Sequence, residues 1–251
     1  MFPLRDQAAC PSPPPLLPLL LLALGAGACA TAPGARAPAA PSDEASVRAG
    51  LNENFLSPDL DVERFVRVFE GESREIFLQR AALVELLELR PGMEVADVGA
   101  GTGLFLRPLA DAVGARGRVF AVDISPRFIE HIEQRKRAEG LDRVRTVLCG
   151  ERSADLDDES VDRILVCDTY HHFEYPGSTL ASLWRALRPG GMLVVVEFER
   201  VPYVSRPWIL DHVRAGRRTF AREIEAAGFV LADEPRVDGF LESYVLRFRK
   251  P

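Results

Sequence analysis

Five short aliphatic runs, at residues 94–98, 118–122, 144–148, 163–167 and 192–197, alternate along this chain with helix-length stretches such as 126–139 and 177–187. Runs this short and this apolar must be covered on both faces, and the intervening helices supply the cover. The pattern predicts an α/β fold with a Rossmann-like, doubly wound and mostly parallel sheet. Upstream, residues 61–69 and 73–89 place apolar side chains near helical spacing and predict two helices, forming an N-terminal cap that ends before Pro91-Gly92. Downstream, a helix over 219–227 precedes two strand-like runs, 229–234 and 241–249, separated by a segment containing Asp238-Gly239. Asp-Gly is a hairpin signal, so the sheet is expected to finish with an antiparallel strand.

Composition narrows the classes. The net charge is −6 and the longest basic block is Arg135-Lys136-Arg137, so a nucleic-acid partner is not expected. With 47% hydrophobic and 27% charged residues the chain has ordinary globular chemistry. Its four cysteines, Cys10, Cys29, Cys149 and Cys167, show no C-x-x-C spacing and predict neither structural zinc nor a disulfide framework, and no metal site is expected.

The chain divides into residues 1–29, 30–46 and 47–251. The almost wholly apolar run at 16–25, too short to span a bilayer, is followed by small residues and reads as a signal-peptide core. The segment LLALGAGAC resembles the lipobox of bacterial lipoproteins, which implies cleavage and lipidation at Cys29, membrane attachment there and a place in the cell envelope. Plain cleavage after Ala30, or a cytoplasmic protein whose start is over-long, are the alternatives. Residues 30–46 are Ala/Pro-rich without an apolar face, as in a solvated tether.

Chemistry concentrates in VADVGAGTG, residues 95–103, where an aliphatic strand runs into a glycine loop that is expected to open the next helix. Such a loop lets a ligand approach the backbone closely. A dinucleotide site would place its third glycine at 104, but Leu104 stands there and the third glycine is Gly103. Asp97 precedes Gly99, Gly101 and Gly103, and a second acid, Asp123, closes the next strand in VFAVDIS. Either aspartate could instead cap the helix that follows it.

This arrangement resembles the class I S-adenosylmethionine-dependent methyltransferases over roughly residues 73–249. The resemblance implies S-adenosylmethionine as methyl donor and S-adenosylhomocysteine as product. It places Asp97, Gly99, Gly101 and Gly103 around the donor, Asp123 on both ribose hydroxyls with Ile124 beside it, Glu151 near the adenine and Asp168 at the end of the fourth strand. One carboxylate can accept two hydroxyl protons, which is why an acid suits the ribose position.

Methyl transfer from a sulfonium is an in-line displacement, so alignment and exclusion of water supply much of the rate. A base is needed only where the acceptor has a proton to lose. Asp168-Thr169-Tyr170-His171-His172-Phe173 lies at the carboxyl end of the fourth strand, where open α/β sheets bind ligands. His171 and His172 are therefore the candidate catalytic residues, with His212, in a lid-like stretch over 201–216, a third. The alternative is that one caps a helix and the other packs.

No Asn-Pro-Pro-Tyr signature follows that strand, and a small or lipophilic acceptor is expected, with Tyr170, Phe173, Tyr175, Phe198, Tyr203 and Trp208 candidates for an apolar pocket or for core. Export would separate the chain from a cytoplasmic donor. An exported, non-catalytic module that binds S-adenosylmethionine or S-adenosylhomocysteine is thus a second reading, and a nicotinamide oxidoreductase a third.

Overall fold

Most strand bounds follow from where the aliphatic runs meet glycine, proline or a charged turn; the run expected at 192–197 is the exception, its strand beginning at Leu187 and passing through Pro189-Gly190-Gly191. The computed structural model describes residues 43–71 and 74–251, and the leader at 1–29 lies outside them. Seven strands form one sheet: β1 Glu94–Val98, β2 Arg118–Asp123, β3 Val144–Leu148, β4 Val161–Cys167, β5 Leu187–Phe198, β6 Val230–Asp233 and β7 Ser243–Arg249. Their order is β3-β2-β1-β4-β5-β7-β6. Strands β1 to β5 pair in parallel, whereas β7 runs antiparallel to both β5 and β6. This is the mostly parallel sheet with an antiparallel C-terminal strand that the sequence predicts.

The helices are α1 Glu53–Leu56, α2 Val62–Phe69, α3 Glu75–Leu78, α4 Arg80–Glu85, α5 Leu106–Val113, α6 Pro126–Glu139, α7 Pro176–Ala186, α8 Pro207–His212 and α9 Arg217–Ala226. Helix α6 shows why the local reading works. Ser125 caps its first turn by accepting from the Phe128 N–H, Pro126 occupies the first helical position, and Gly140 ends it in the left-handed conformation. Residues 73–89, expected as one helix, are instead the short pair α3 and α4, broken at Gln79 and followed by a turn with Glu88 at φ 50°. Apolar spacing alone did not reveal that break.

The core is the sheet and its covering helices. Ile164, Leu165 and Val166 of β4 and Val194, Val195 and Val196 of β5 are wholly buried, each stabilising the fold by about 1.5–3 kcal/mol. A separate cluster seats the N-terminal cap on α6: Leu60, Val62 and Phe128, joined by Phe55, Phe65 and Phe69. The chain enters this cap earlier than its composition indicates, because the Glu44 carboxylate accepts from the Gly177 and Ser178 N–H groups at 2.7 Å, at the first turn of α7. Among the described residues no helix is long and apolar enough to cross a membrane.

Candidate active site

Strand order reverses between β1 and β4, which opens a crevice beyond their carboxyl ends, the usual ligand site of such sheets. A cavity of about 230 Å³ occupies that place. Asp97, Gly99, Gly101, Asp123, Ile124, Glu151, Asp168, His171, His172 and His212 all line it. Gly103 does not. It turns the chain into α5 at φ 83°, with Leu106 where a Cβ would go.

The glycine loop is tied to the sheet by its own backbone. Gly99 and Ala100 donate to the Val122 carbonyl at 2.8 and 3.0 Å, and Gly103 donates to that of Ala100. Gly101 donates to Asp123 Oδ2 at 2.8 Å. Those N–H groups are therefore spent, and α5 begins only at Leu106, so the expected helix opening at the loop is set back. A loop in this state offers little to a pyrophosphate, which argues against a dinucleotide ligand. Gly99 is required sterically, since at φ 78° a Cβ would lie 2.2 Å from Thr169 Cγ2.

Neither aspartate is a helix cap. Helix α5 starts after Phe105 without a side-chain cap, and α6 is capped by Ser125. Asp97 is 1% exposed and its Oδ2 has no partner. Burial, reinforced by the charge of Asp123, pushes the Asp97 carboxyl up to about 7. Burial likewise raises Asp123 to about 6, although hydrogen bonds from Ser125, Gly101 and Ile124 pull the other way. An orphaned carboxyl in a cavity of this kind fits a cationic ligand.

Asp168 stands at φ 52° after β4 and pairs with Arg74 at 2.5 Å, the guanidinium lying over the rings of Phe69 and Phe198. Burial raises its carboxyl despite that cation. Nothing in the sequence marks Arg74 as a site residue, since the contact joins positions 94 apart. Glu151 accepts from Asn52 Nδ2 at 3.1 Å, and the same amide donates to the His172 carbonyl at 3.2 Å, tying the cap to both ends of the cavity.

The two adjacent histidines differ. His171 is 1% exposed, and its backbone N–H and Nδ1 both face the carboxylate of Glu197, at 3.0 and 2.9 Å. Burial opposes the charged ring, but Glu197 outweighs it and Asp168 adds to it, holding His171 above the ordinary histidine value. His172 has no such partner. Burial, with the rings of His171 and His212 beside it, drives it down to about 2, so it stays neutral. His212 closes α8 at the cavity, its ring centroid 4.8 Å from that of His171 and 4.9 Å from that of His172.

The aromatic lining is not the expected one. Of that set only Phe173 faces the cavity, joined by Phe55, Phe65 and Phe69 from the cap. Tyr170 is buried and donates to Glu223, Trp208 packs edge-on against Phe198, and Tyr203 is fully exposed. Sequence period could not show which helix would fold over the site.

A family model described as "Methyltransferase domain" matches residues 96–195. A ubiquinone/menaquinone biosynthesis C-methyltransferase of Bordetella parapertussis is 34% identical over 113 residues, 45% of this chain and 43% of that protein. A protein-L-isoaspartate O-methyltransferase of Methanopyrus kandleri is 32% identical over 137 residues, 54% of this chain and 57% of that protein. The chain thus spans about half the length of the curated relatives it matches. Among solved structures, an S-adenosylmethionine-dependent methyltransferase from Aquifex aeolicus superposes with a TM-score of 0.67 at 22% identity, covering 76% of this chain and 99% of that one. The (4+2)-cyclase SpnF superposes at 0.63 and 19% identity, covering 84% and 98%. Residues 96–195 thus match a methyltransferase domain model, and the sheet has the fold of these solved structures. The cyclase shows that this fold by itself does not dictate the chemistry.

Proposed function

We propose that this protein transfers a methyl group from S-adenosylmethionine to a small or lipophilic acceptor. The observation that carries the reading is the buried, unpartnered carboxyl of Asp97 beside Asp123, both facing a cavity reached by a glycine loop whose N–H groups are already spent. Three carboxyls and one arginine line that cavity near the loop, a balance that favours a cationic ligand over an anionic one.

When bound, S-adenosylmethionine supplies a methyl group on a positively charged sulfur. Asp97 would accept from the ammonium of its amino-acid end, and Arg74 would face the carboxylate. Asp123 keeps free lone pairs on both oxygens for the ribose hydroxyls. Glu151 and Ile124 flank the adenine end. Phe55, Phe65 and Phe69 exclude water on the cap side, and the His171–Glu197 pair fixes one imidazole with its Nε2 toward the acceptor. The relatives named as quinone-biosynthesis C-methyltransferases support a lipophilic acceptor for this apolar half.

Calorimetry of the protein with S-adenosylhomocysteine, S-adenosylmethionine and NAD in parallel tests the proposal. Binding of the first two and not the third is expected; tight NAD binding would overturn it.

A further inference from the structure

Three of the four histidines of this chain meet at one point. His171 and His172 come from the turn after β4 and His212 from the end of α8, and one ring nitrogen from each lies within 4.8 Å of the other two. The rings are packed at centroid distances of 4.3, 4.8 and 4.9 Å, yet no hydrogen bond joins them. His171 Nε2 and His172 Nδ1 are both buried without a partner. Buried polar atoms normally find one, so three imidazoles gathered around unmet nitrogens call for something that accepts lone pairs.

The surroundings say what that is. His171 Nδ1 is held at 2.9 Å by both oxygens of Glu197, a side chain with 0% exposure. A carboxylate on the far nitrogen fixes the tautomer, leaves the Nε2 lone pair free and raises its basicity, which is the usual outer shell of a histidine that ligates a metal. Tetrahedral zinc on nitrogen ligands at 2.0–2.1 Å sets those nitrogens about 3.3 Å apart, so the rings need to close by about 1.5 Å at most. His212 has the room to supply that movement, as it is an exposed residue at the end of a six-residue helix. The remaining side of the cluster opens into the cavity, where Asp168 adds negative charge.

We propose that His171, His172 and His212 bind a divalent transition-metal ion of the zinc type, leaving one coordination position open toward the acceptor half of the cavity. Neutral imidazoles suit zinc and its neighbours better than magnesium or calcium, which prefer oxygen. The role of the open position, to take an oxygen or nitrogen of the acceptor, rests on the methyl-transfer reading; the site itself does not.

The test uses tag-free, full-length protein stripped with a chelator and titrated with Zn2+ by calorimetry and with Co2+ by visible absorption. One ion per chain and the intense ligand-field bands of four-coordinate Co2+ are expected. His212→Ala should lose stoichiometric binding, Glu197→Gln should weaken it by about 10- to 100-fold, and His131→Ala, on α6 beside residues 60–63 and outside the cluster, should leave it unchanged. S-adenosylhomocysteine affinity on the same samples reports whether each variant is folded. Wild-type protein that binds S-adenosylhomocysteine but takes up no stoichiometric metal, or a His212→Ala variant that binds Zn2+ as tightly as wild type, overturns the inference and leaves the methyl-transfer reading standing. Metal uptake without S-adenosylhomocysteine binding upholds the site and removes the methyl-transfer reading.

Discussion

Replacing Asp97 with Asn should make the empty protein more stable and the ligand-binding protein worse. The Asp97 carboxyl moves from 3.8 in the unfolded chain to about 7 in the fold, chiefly through burial. Between those values the folded chain holds a proton that the unfolded chain has released. Stability therefore falls as pH rises from about 4 to about 7, and the whole penalty is present above that window. About three units at 1.36 kcal/mol each give an upper limit of roughly 4 kcal/mol at pH 8. Asn keeps the shape and removes the charge, so Asp97→Asn should raise Tm by up to roughly 10 °C in a chain of this size. The same change deletes a charge-assisted bond to the ligand ammonium, about 1.5–3 kcal/mol, and should weaken S-adenosylhomocysteine by about tenfold to a hundredfold at pH 8. In the wild type that affinity should drop by about tenfold per pH unit below pH 7, because only the ionised carboxyl accepts the ammonium. Between pH 7 and 6 the variant should show no such slope. Thermal melts and calorimetry across pH 5–8 measure both effects. An Asp97→Asn protein that binds S-adenosylhomocysteine as tightly as wild type, or that melts no higher at pH 8, refutes the reasoning.

Asp123→Ala should cost on the order of 2 kcal/mol of S-adenosylhomocysteine affinity by calorimetry, since it removes a carboxylate placed for both ribose hydroxyls. Gly99→Ala should destabilise by about 1–3 kcal/mol in denaturant melts, through both its positive φ and the collision with Thr169, and Thr169→Ala should relieve only part of the second, since its Cβ still stands 2.8 Å from the new methyl. His171→Asn, which keeps an N–H for Glu197, should lower turnover on an identified acceptor by about a hundredfold or more while S-adenosylhomocysteine affinity stays within about threefold. For the proposed leader, mass spectrometry in the native host should find a mature chain starting at or just after Cys29 in the membrane fraction; a soluble chain retaining the apolar run at 16–24 refutes export.

Strands β1 and β3 and helix α6 have the bounds that the sequence predicts, because each is set by local signals: an aliphatic run of fixed length, a capping serine, a terminating glycine. The glycine-loop half of the cavity was legible for a related reason. Asp97 is the next-to-last residue of β1 and Asp123 the last of β2, adjacent parallel strands with Val98 opposite Val122 in the register, so placing the strands places the acids. Gly99, Gly101, Ile124 and Asp168 follow from the same ends. What stayed hidden depends on chain returning from far away. Arg74 reaches Asp168, Asn52 reaches Glu151, and Glu197 clamps His171 across a separation of 26 residues, none of which leaves a periodic trace.

That division also bears on what the relatives can teach. The segment that matches the methyltransferase domain model runs over 96–195 and contains Asp97, Asp123, the glycine loop, Glu151, Asp168, His171 and His172. Phe55, Phe65, Phe69 and Arg74 precede it, and Glu197 and His212 follow it. The glycine-loop side of the cavity is therefore built mostly from the segment that matches the methyltransferase model, with Arg74 added from outside it, and the rest is completed by segments outside that match. A cap seated on α6 through Phe55, Phe65, Phe69 and Phe128 and a short helix ending in His212 set the shape and polarity of the rest of the cavity. On the methyl-transfer reading, the donor contacts other than Arg74 fall within the matched segment, so the cap and the short helix can differ between relatives with little loss of those contacts, and the acceptor is to be sought in this chain's own cap and lid.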